Sequence, residues 1–342
     1  MPFASARHGP MKIVILGQAL IHHSVTWPEE LQALTHGADA VLCNFEGCLP
    51  PDDAWPMKQK TVHAAHPKAG VMLRNLGVTQ LALANNHAWD FGHAGLLSTR
   101  STLERSGFGV AGAGHNLASA SAAAIYNGVA LLSVDAGPTP DWAIAGAGPG
   151  VNALRLTCTL GLPAKLLTDL ETVTIITGKA QKSARRRAIG YDSLTPQRDF
   201  YGLALEGSGE PREIWRCPPQ DTARIVADIQ RAQTQAKFVI VALHYHHWSV
   251  DWGKSPDWLS DLAETLLEAG ADALACTGPP IAGEVRIAGG KAFASSLGNV
   301  VFHTARAKKY DALRIPVRQG CALIFEDGAW RSVVVEALVP SQ

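Results

Sequence analysis

Short apolar runs that stop at polar, chemistry-bearing side chains recur along this chain, and they restrict its fold more than any other feature. V-I-L-G ends at Gln18, A-V-L-C at Asn44 and Glu46, L-A-L-A at Asn85, Asn86 and His87, and F-V-I-V-A-L at His244, His246 and His247. Each run is too short for a buried helix and is separated from the next by a longer amphipathic stretch. That is the pattern of parallel strands covered on both faces. In open α/β sheets, ligands bind in the crevice beyond the carboxyl ends of the strands. Four strands delivering Asn, Glu and His to one such edge therefore predict a site there. Taken singly, each of these residues is equally at home in a turn or at a helix cap.

The rest of the chain extends the βα rhythm. Trp27-Pro28-Glu29-Glu30 opens a helix with proline in the first turn and acids at its positive end. An irregular loop to Pro67 leads into a helix ending at Gly77, and Gly92 to Ser106 reads as another. Asn127-Gly128 marks a hairpin within 122–133. Between Gly137 and Pro219 the character changes: Val173 to Ile176 and Ala188 to Asp192 read as short strands around a basic Lys182 to Arg187 turn. We take about 155–218 as an insertion into a single domain over 11–340. Helices from Asp221 to Gln235 and from Pro256 to Gly270 follow, with the His244 strand between them. Antiparallel hairpins at Gly289-Gly290 and Asp327-Gly328 close the chain. The expected fold class is α/β, with two mixed sheets packed together under helices.

The 30 basic and 30 acidic side chains balance, which argues against a nucleic-acid groove and, on net charge, against an anionic membrane surface. The six cysteines lack C-x-x-C spacing and fit reduced thiols. No stretch has the make-up of a signal peptide or approaches the ~18 apolar residues of a membrane span. The expectation is a cytoplasmic protein, with a homo-oligomer left open.

N-F-E-G at 44–47, A-N-N-H-A-W-D-F-G at 84–92, G-P-G-V-N-A-L-R at 148–155, A-L-H-Y-H-H-W at 242–248 and S-S-L-G-N-V-V-F at 295–302 fall in the order of one family. The chain resembles the CapA/PgsA family, named for poly-γ-glutamate capsule biosynthesis. The resemblance implies a four-layer α/β/β/α sandwich, as in calcineurin-like metallophosphoesterases, with a two-metal site. Two departures weaken the second part. Gln18 stands where the family carries a metal-binding carboxylate, and Thr277, Gly278, Pro279 and Pro280 stand where it carries a G-H-x-x-H-like motif. A two-metal centre needs carboxylate and imidazole on both ions, so one divalent ion (Zn, Mn or Fe) is expected. Its ligands would be Glu46, Asn86, His244 and His246, with the two histidines on one side of an extended segment and His247 on the other. His22 and His23 are alternative ligands, or simply a solvated loop.

By the same resemblance, His87 is the general acid, and Asp90 would orient its ring. Gln18, Asn44, Asn85, Lys58, His63, His247, Glu284 and Asn299 are candidate substrate contacts, each with an ordinary alternative as turn, packing or loop residue. The leading expectation is a metal-dependent hydrolase with a metal-activated water as nucleophile. Its substrate would be a small or oligomeric anion with an amide, lactam-like or phosphoester bond. The alternatives are a component of poly-γ-glutamate capsule synthesis or turnover, and a ligand-binding pseudoenzyme with a degraded metal site.

Overall fold

The segment I-V-I-L-G-Q-A-L forms the strand Ile13–Leu20, in which every residue is buried. Side chains alternate across a strand, and here each face meets its own core. Ile13 and Ile15 share one cluster with Ala40, Leu42, Leu131, Phe238 and Ile240. Val14 and Leu16 share another with Val41 and Cys43, and with Leu31, Leu73, Leu96 and Leu103 from three helices. The computed structural model describes residues 11–59, 61–192 and 199–340, and two compact units divide the chain. One runs up to Leu154 and resumes at Pro219; the other is Arg155–Pro218.

The larger unit contains two mixed sheets. In the first, Ile13–Leu20 lies between Ala40–Phe45, parallel to it, and Gln319–Glu326, antiparallel. Gln80–Ala82 and Gly109–Ala111 extend it on one side and Ala329–Glu336 on the other, while Asn299–Phe302 joins the later half of the first strand. The second sheet runs Val285–Ala288, Lys291–Ala294, Ala273–Thr277, Phe238–Tyr245, Val129–Ala136 and Ala124–Tyr126. Apolar residues of both sheets make up the cluster around Ile13, so the sheets share one buried layer. Helices Glu29–Thr35, Ala69–Asn75 and Gly92–Arg105 cover the outer face of the first sheet. Pro219–Gln233 and Asp257–Glu268 pack on the second. Among the described residues no helix is long and apolar enough to cross a membrane.

Main chains touch where the strands end. A Cβ on Gly17 would lie 2.3 Å from the Gly298 carbonyl oxygen, and one on Gly278 would lie 1.8 Å from that of Tyr245. Gly278 also has a φ of 125°, outside the comfortable range of other residues. Gln18 itself is a correction to the sequence reading. It lies inside its strand, at register irregularities on both sides, and not at the strand's end.

The smaller unit has its own four-stranded sheet, ordered Asp199–Phe200, Leu203–Gly207, Thr157–Leu162 and Arg212–Arg216. Leu162, Leu167 and Leu205 form its core with Leu160, Leu170 and Phe200. The expected strands at 173–176 and 188–192 and the basic turn between them are overturned. Ala164–Ile176 and Lys179–Ala188 are helices, and the turn is at Gly178, whose φ is 70°. The β-branched run V-T-I-I imitates a strand, but Lys and Arg are good helix formers, and the glycine supplies the left-handed break.

Candidate active site

The loop after Gln80–Ala82 is folded by Asn85. Its Nδ2 donates to the Phe45 carbonyl at 2.8 Å, and its Oδ1 accepts from the His87 amide at 3.0 Å. This short-range turn is a common use of asparagine, and here it aims Asn86 and His87 beyond the sheet edge. Asn44 supports it, its Oδ1 lying 3.4 Å from Asn85 Nδ2. Both asparagines are buried and act on the loop.

The strand Phe238–Tyr245 places His244 in register with Asp135 on one neighbour and Thr277 on the other. Thr277 Oγ1 is 3.1 Å from His244 Nδ1. The other ring nitrogen, Nε2, is 2.9 Å from Asn86 Oδ1 and 3.2 Å from His246 Nε2. Burial and the neighbouring His246 push His244 well below the usual imidazole range, and burial pushes His246 down to about 3. Both rings are therefore neutral near pH 7 and offer lone pairs. Metal–ligand bonds of ~2.1 Å at tetrahedral or octahedral angles put neighbouring donors roughly 3.0–3.4 Å apart. The separations of His244 Nε2 from Asn86 Oδ1 and from His246 Nε2 thus match two edges of one ion's shell. Among the described residues no three His, Cys, Asp or Glu side chains stand together in this way; the donors gathered at His244 are two imidazoles and an amide.

Glu46, the expected carboxylate ligand, lies beside His87, its Oε1 3.9 Å from His87 Nε2. Its Oε2 is buried without a hydrogen-bond partner among the described residues, and burial raises its pKa. On the other side of the ring, His87 Nδ1 is 2.8 Å from Asp90 Oδ2. Burial works to raise Asp90, but the hydrogen bond and charge of His87 and the Lys58 ammonium outweigh it and hold the carboxyl below its ordinary value. Lys58 Nζ is 2.7 Å from Asp90 Oδ1, donates to the Asn86 carbonyl and lies 4.0 Å from the centre of the Trp89 ring. The His63 amide donates to Asp90 Oδ2 at 2.7 Å, and its ring is 4.1 Å from that of His87. His63 Nδ1 is 3.1 Å from His22 Nε2, and burial pushes His63 down to about 3.

Gln18 and Asn299 are drawn together, but into the floor. Gln18 Nε2 donates to Asn299 Oδ1 at 2.8 Å, and Gln18 Oε1 accepts from the Gly278 amide at 3.1 Å. Asn299 Nδ2 donates to the carbonyls of Pro280 and Val317. With both amides buried and occupied, the expectation that they contact substrate gives way to a scaffolding role. Glu284 is exposed, and its carbonyl accepts from the Ser295 amide. His247 is half-buried, and its carbonyl accepts from the Trp258 indole at 3.4 Å.

Two residues escaped the sequence reading. Asp135 is buried at the end of Val129–Ala136, where desolvation outweighs its hydrogen bonds and raises it to about 6. Its oxygens accept from the Gly137 amide and the Thr139 hydroxyl, and Thr139 Oγ1 accepts from the Trp89 indole at 3.1 Å. The signal was present, since L-L-S-V-D is another apolar run ending at an acid. His303 was also missed; its Nδ1 accepts from the amides of His22 and His23.

The family described as "Bacterial capsule synthesis protein PGA_cap" matches residues 8–304. The protein y4uA of Sinorhizobium fredii is 29% identical over 321 residues, 89% of this chain and 66% of that protein. The PGA biosynthesis protein CapA of Bacillus subtilis is 22% identical over 284 residues, covering 82% and 58%. A probable polyglutamine synthesis accessory protein of Mycobacterium tuberculosis is 30% identical over 138 residues, covering 38% and 36%. The chain thus spans two thirds or less of the length of these relatives. The family match takes in the strands from Ile13–Leu20 to Asn299–Phe302, the loop of Asn85 to Asp90 and the His244 strand, and on that evidence the chain belongs to the bacterial capsule synthesis protein PGA_cap family.

Proposed function

We propose that this protein is a hydrolase dependent on one divalent ion, acting on an anionic substrate with His87 as proton donor. The observation that carries the reading is the spacing of Asn86 Oδ1, His244 Nε2 and His246 Nε2 beside the buried His87–Asp90 pair. These three donors would hold the ion, which when bound supplies Lewis acidity toward the substrate and toward water. Everything else is done by side chains. Asp90 accepts from His87 Nδ1–H, which leaves Nε2 as the atom that delivers a proton to the leaving group. Lys58 neutralises Asp90 and ties it to the main chain of Asn86. All three ion donors are neutral, so the ion's charge remains available to an anion.

The relatives' names, PGA biosynthesis and polyglutamine synthesis, favour a glutamyl amide over a lactam-like or phosphoester bond in that anion. On this reading the two sheets and their covering helices form the four-layer α/β/β/α sandwich of metallophosphoesterases. The six free thiols fit a cytoplasmic setting.

The test is a zinc or manganese titration of the purified protein, followed by turnover of a γ-glutamyl oligomer. One equivalent should bind to the wild type and to His87→Ala, and none to His244→Ala. Turnover should fall on the order of 10²–10⁴-fold in His87→Ala. A wild type that binds no ion yet retains the oligomer would make the protein a ligand-binding pseudoenzyme.

A further inference from the structure

We propose that the 155–218 unit docks on an anionic lipid surface through helix Lys179–Ala188 and the isoleucine and tyrosine side chains around it. The helix, K-A-Q-K-S-A-R-R-R-A, carries five basic and no acidic residues, and none of its residues is buried. Among the described residues only one of the five cations, Arg186, forms an ion pair, with Asp192 at 2.9 Å. Residues 155–218 hold ten basic and seven acidic side chains, so the chain's zero net charge is the sum of a positive unit and a negative remainder. Balance over the whole chain therefore says nothing about this face.

Charge alone would be satisfied by water. The second observation is apolar exposure gathered around the same helix. Ile176, just before it, is 78% exposed; Ile189 and Tyr191, just after it, are 64% and 72% exposed. The exposed Tyr201 donates its hydroxyl hydrogen to Thr177 at 2.8 Å, and its ring lies 5.7 Å from Lys179 Nζ. The Arg186 guanidinium is likewise 5.7 Å from the Tyr191 ring. Cations flanked by tyrosine and isoleucine suit the headgroup layer of a bilayer. There the cations meet anionic lipid, tyrosine rings rest at the interface, and isoleucines reach the acyl boundary. A dissolved polycarboxylate would satisfy the cations but offer nothing to the isoleucines. That difference favours lipid, and the inference stands apart from the catalytic reading.

Co-sedimentation of the full chain with vesicles tests it. The protein should pellet with vesicles of equal parts phosphatidylglycerol and phosphatidylcholine, stay in solution with phosphatidylcholine alone, and be released by salt. Combining Lys182→Glu, Arg185→Glu and Arg187→Glu should lower partitioning at least roughly 100-fold. Ile176→Ser with Ile189→Ser should weaken binding while keeping its salt dependence. Because these side chains are exposed, unchanged thermal transitions should show that both variants fold. The salt and lipid arms, run on the wild type, stand even if a variant does not. Failure of the wild type to pellet with anionic vesicles at low salt would overturn the proposal. So would an isoleucine variant that binds vesicles and soluble poly-glutamate as well as the wild type, since the occupant would then be a dissolved polyanion.

Discussion

His303 Nδ1 accepts two main-chain hydrogens, at 3.1 Å from His22 and 3.0 Å from His23, and only an unprotonated nitrogen can do so. Burial, with the neighbouring His23 and His22, pushes its pKa down to about 4, against ~6.5 in an unfolded chain. As pH falls through that window the unfolded state takes up a proton that the folded state refuses, so stability falls. The slope approaches about 1.4 kcal/mol per pH unit for each such histidine. Urea unfolding at stepped pH should show it, and His303→Gln should remove about one proton from the slope; an unchanged slope would exclude the assignment. Lys58 gives a second residue-scale test. Removing it leaves Asp90 buried without its cation, and Lys58→Met should cost about 3 kcal/mol. Adding Asp90→Asn should return most of that loss, and additive losses in a denaturant double-mutant cycle would show that the pair is not coupled. The His87–Asp90 pair was legible because both residues lie on one short loop. The Gln18–Asn299 pair was not, because its partners are 281 residues apart and an amide that serves the floor reads the same as one that serves a ligand.

At the scale of elements, the alternation of Ile13, Val14, Ile15 and Leu16 between two cores is what made the parallel strands visible in the sequence. The helix at Glu29 followed from its proline and first-turn acids, and the hairpins of the larger unit from Asn-Gly, Gly-Gly and Asp-Gly turns. The smaller unit was misread, since V-T-I-I has the composition of a strand and its helical state is fixed by the Leu167 and Leu170 packing that no local pattern reveals. Close backbone contact was equally hidden: nothing in L-G-Q announces that Gly17 must lie against Gly298. Gly17→Ala would force a Cβ to 2.3 Å from that carbonyl oxygen. The strand and the turn must then part, and a loss of about 3 kcal/mol or more, of the order of other severe core disruptions, should appear as a lowered melting temperature. A variant as stable as the wild type would show that the turn yields easily.

For the whole molecule, the division into two units sets the clearest expectation. Arg224, after the smaller unit, donates to Asn152 Oδ1 and to the Ala153 carbonyl, just before it. The larger unit therefore holds together the chain on either side of the excursion. Replacing 155–218 by a short Gly/Ser bridge should leave one cooperative thermal transition and one bound ion, and should abolish pelleting with anionic vesicles. Loss of the cooperative transition would show that the larger core depends on the smaller unit. Within that core, the glycine contacts at Gly17 and Gly278 set the spacing of the strand ends by main-chain dimensions, with no side chain between them to compress or swing. A floor built in this way is stiff. Accommodation of an incoming molecule must fall to what stands above it, to the side chains of Lys58 and His246, so that differences in selectivity among such sites would arise from those side chains while the base beneath them keeps its shape.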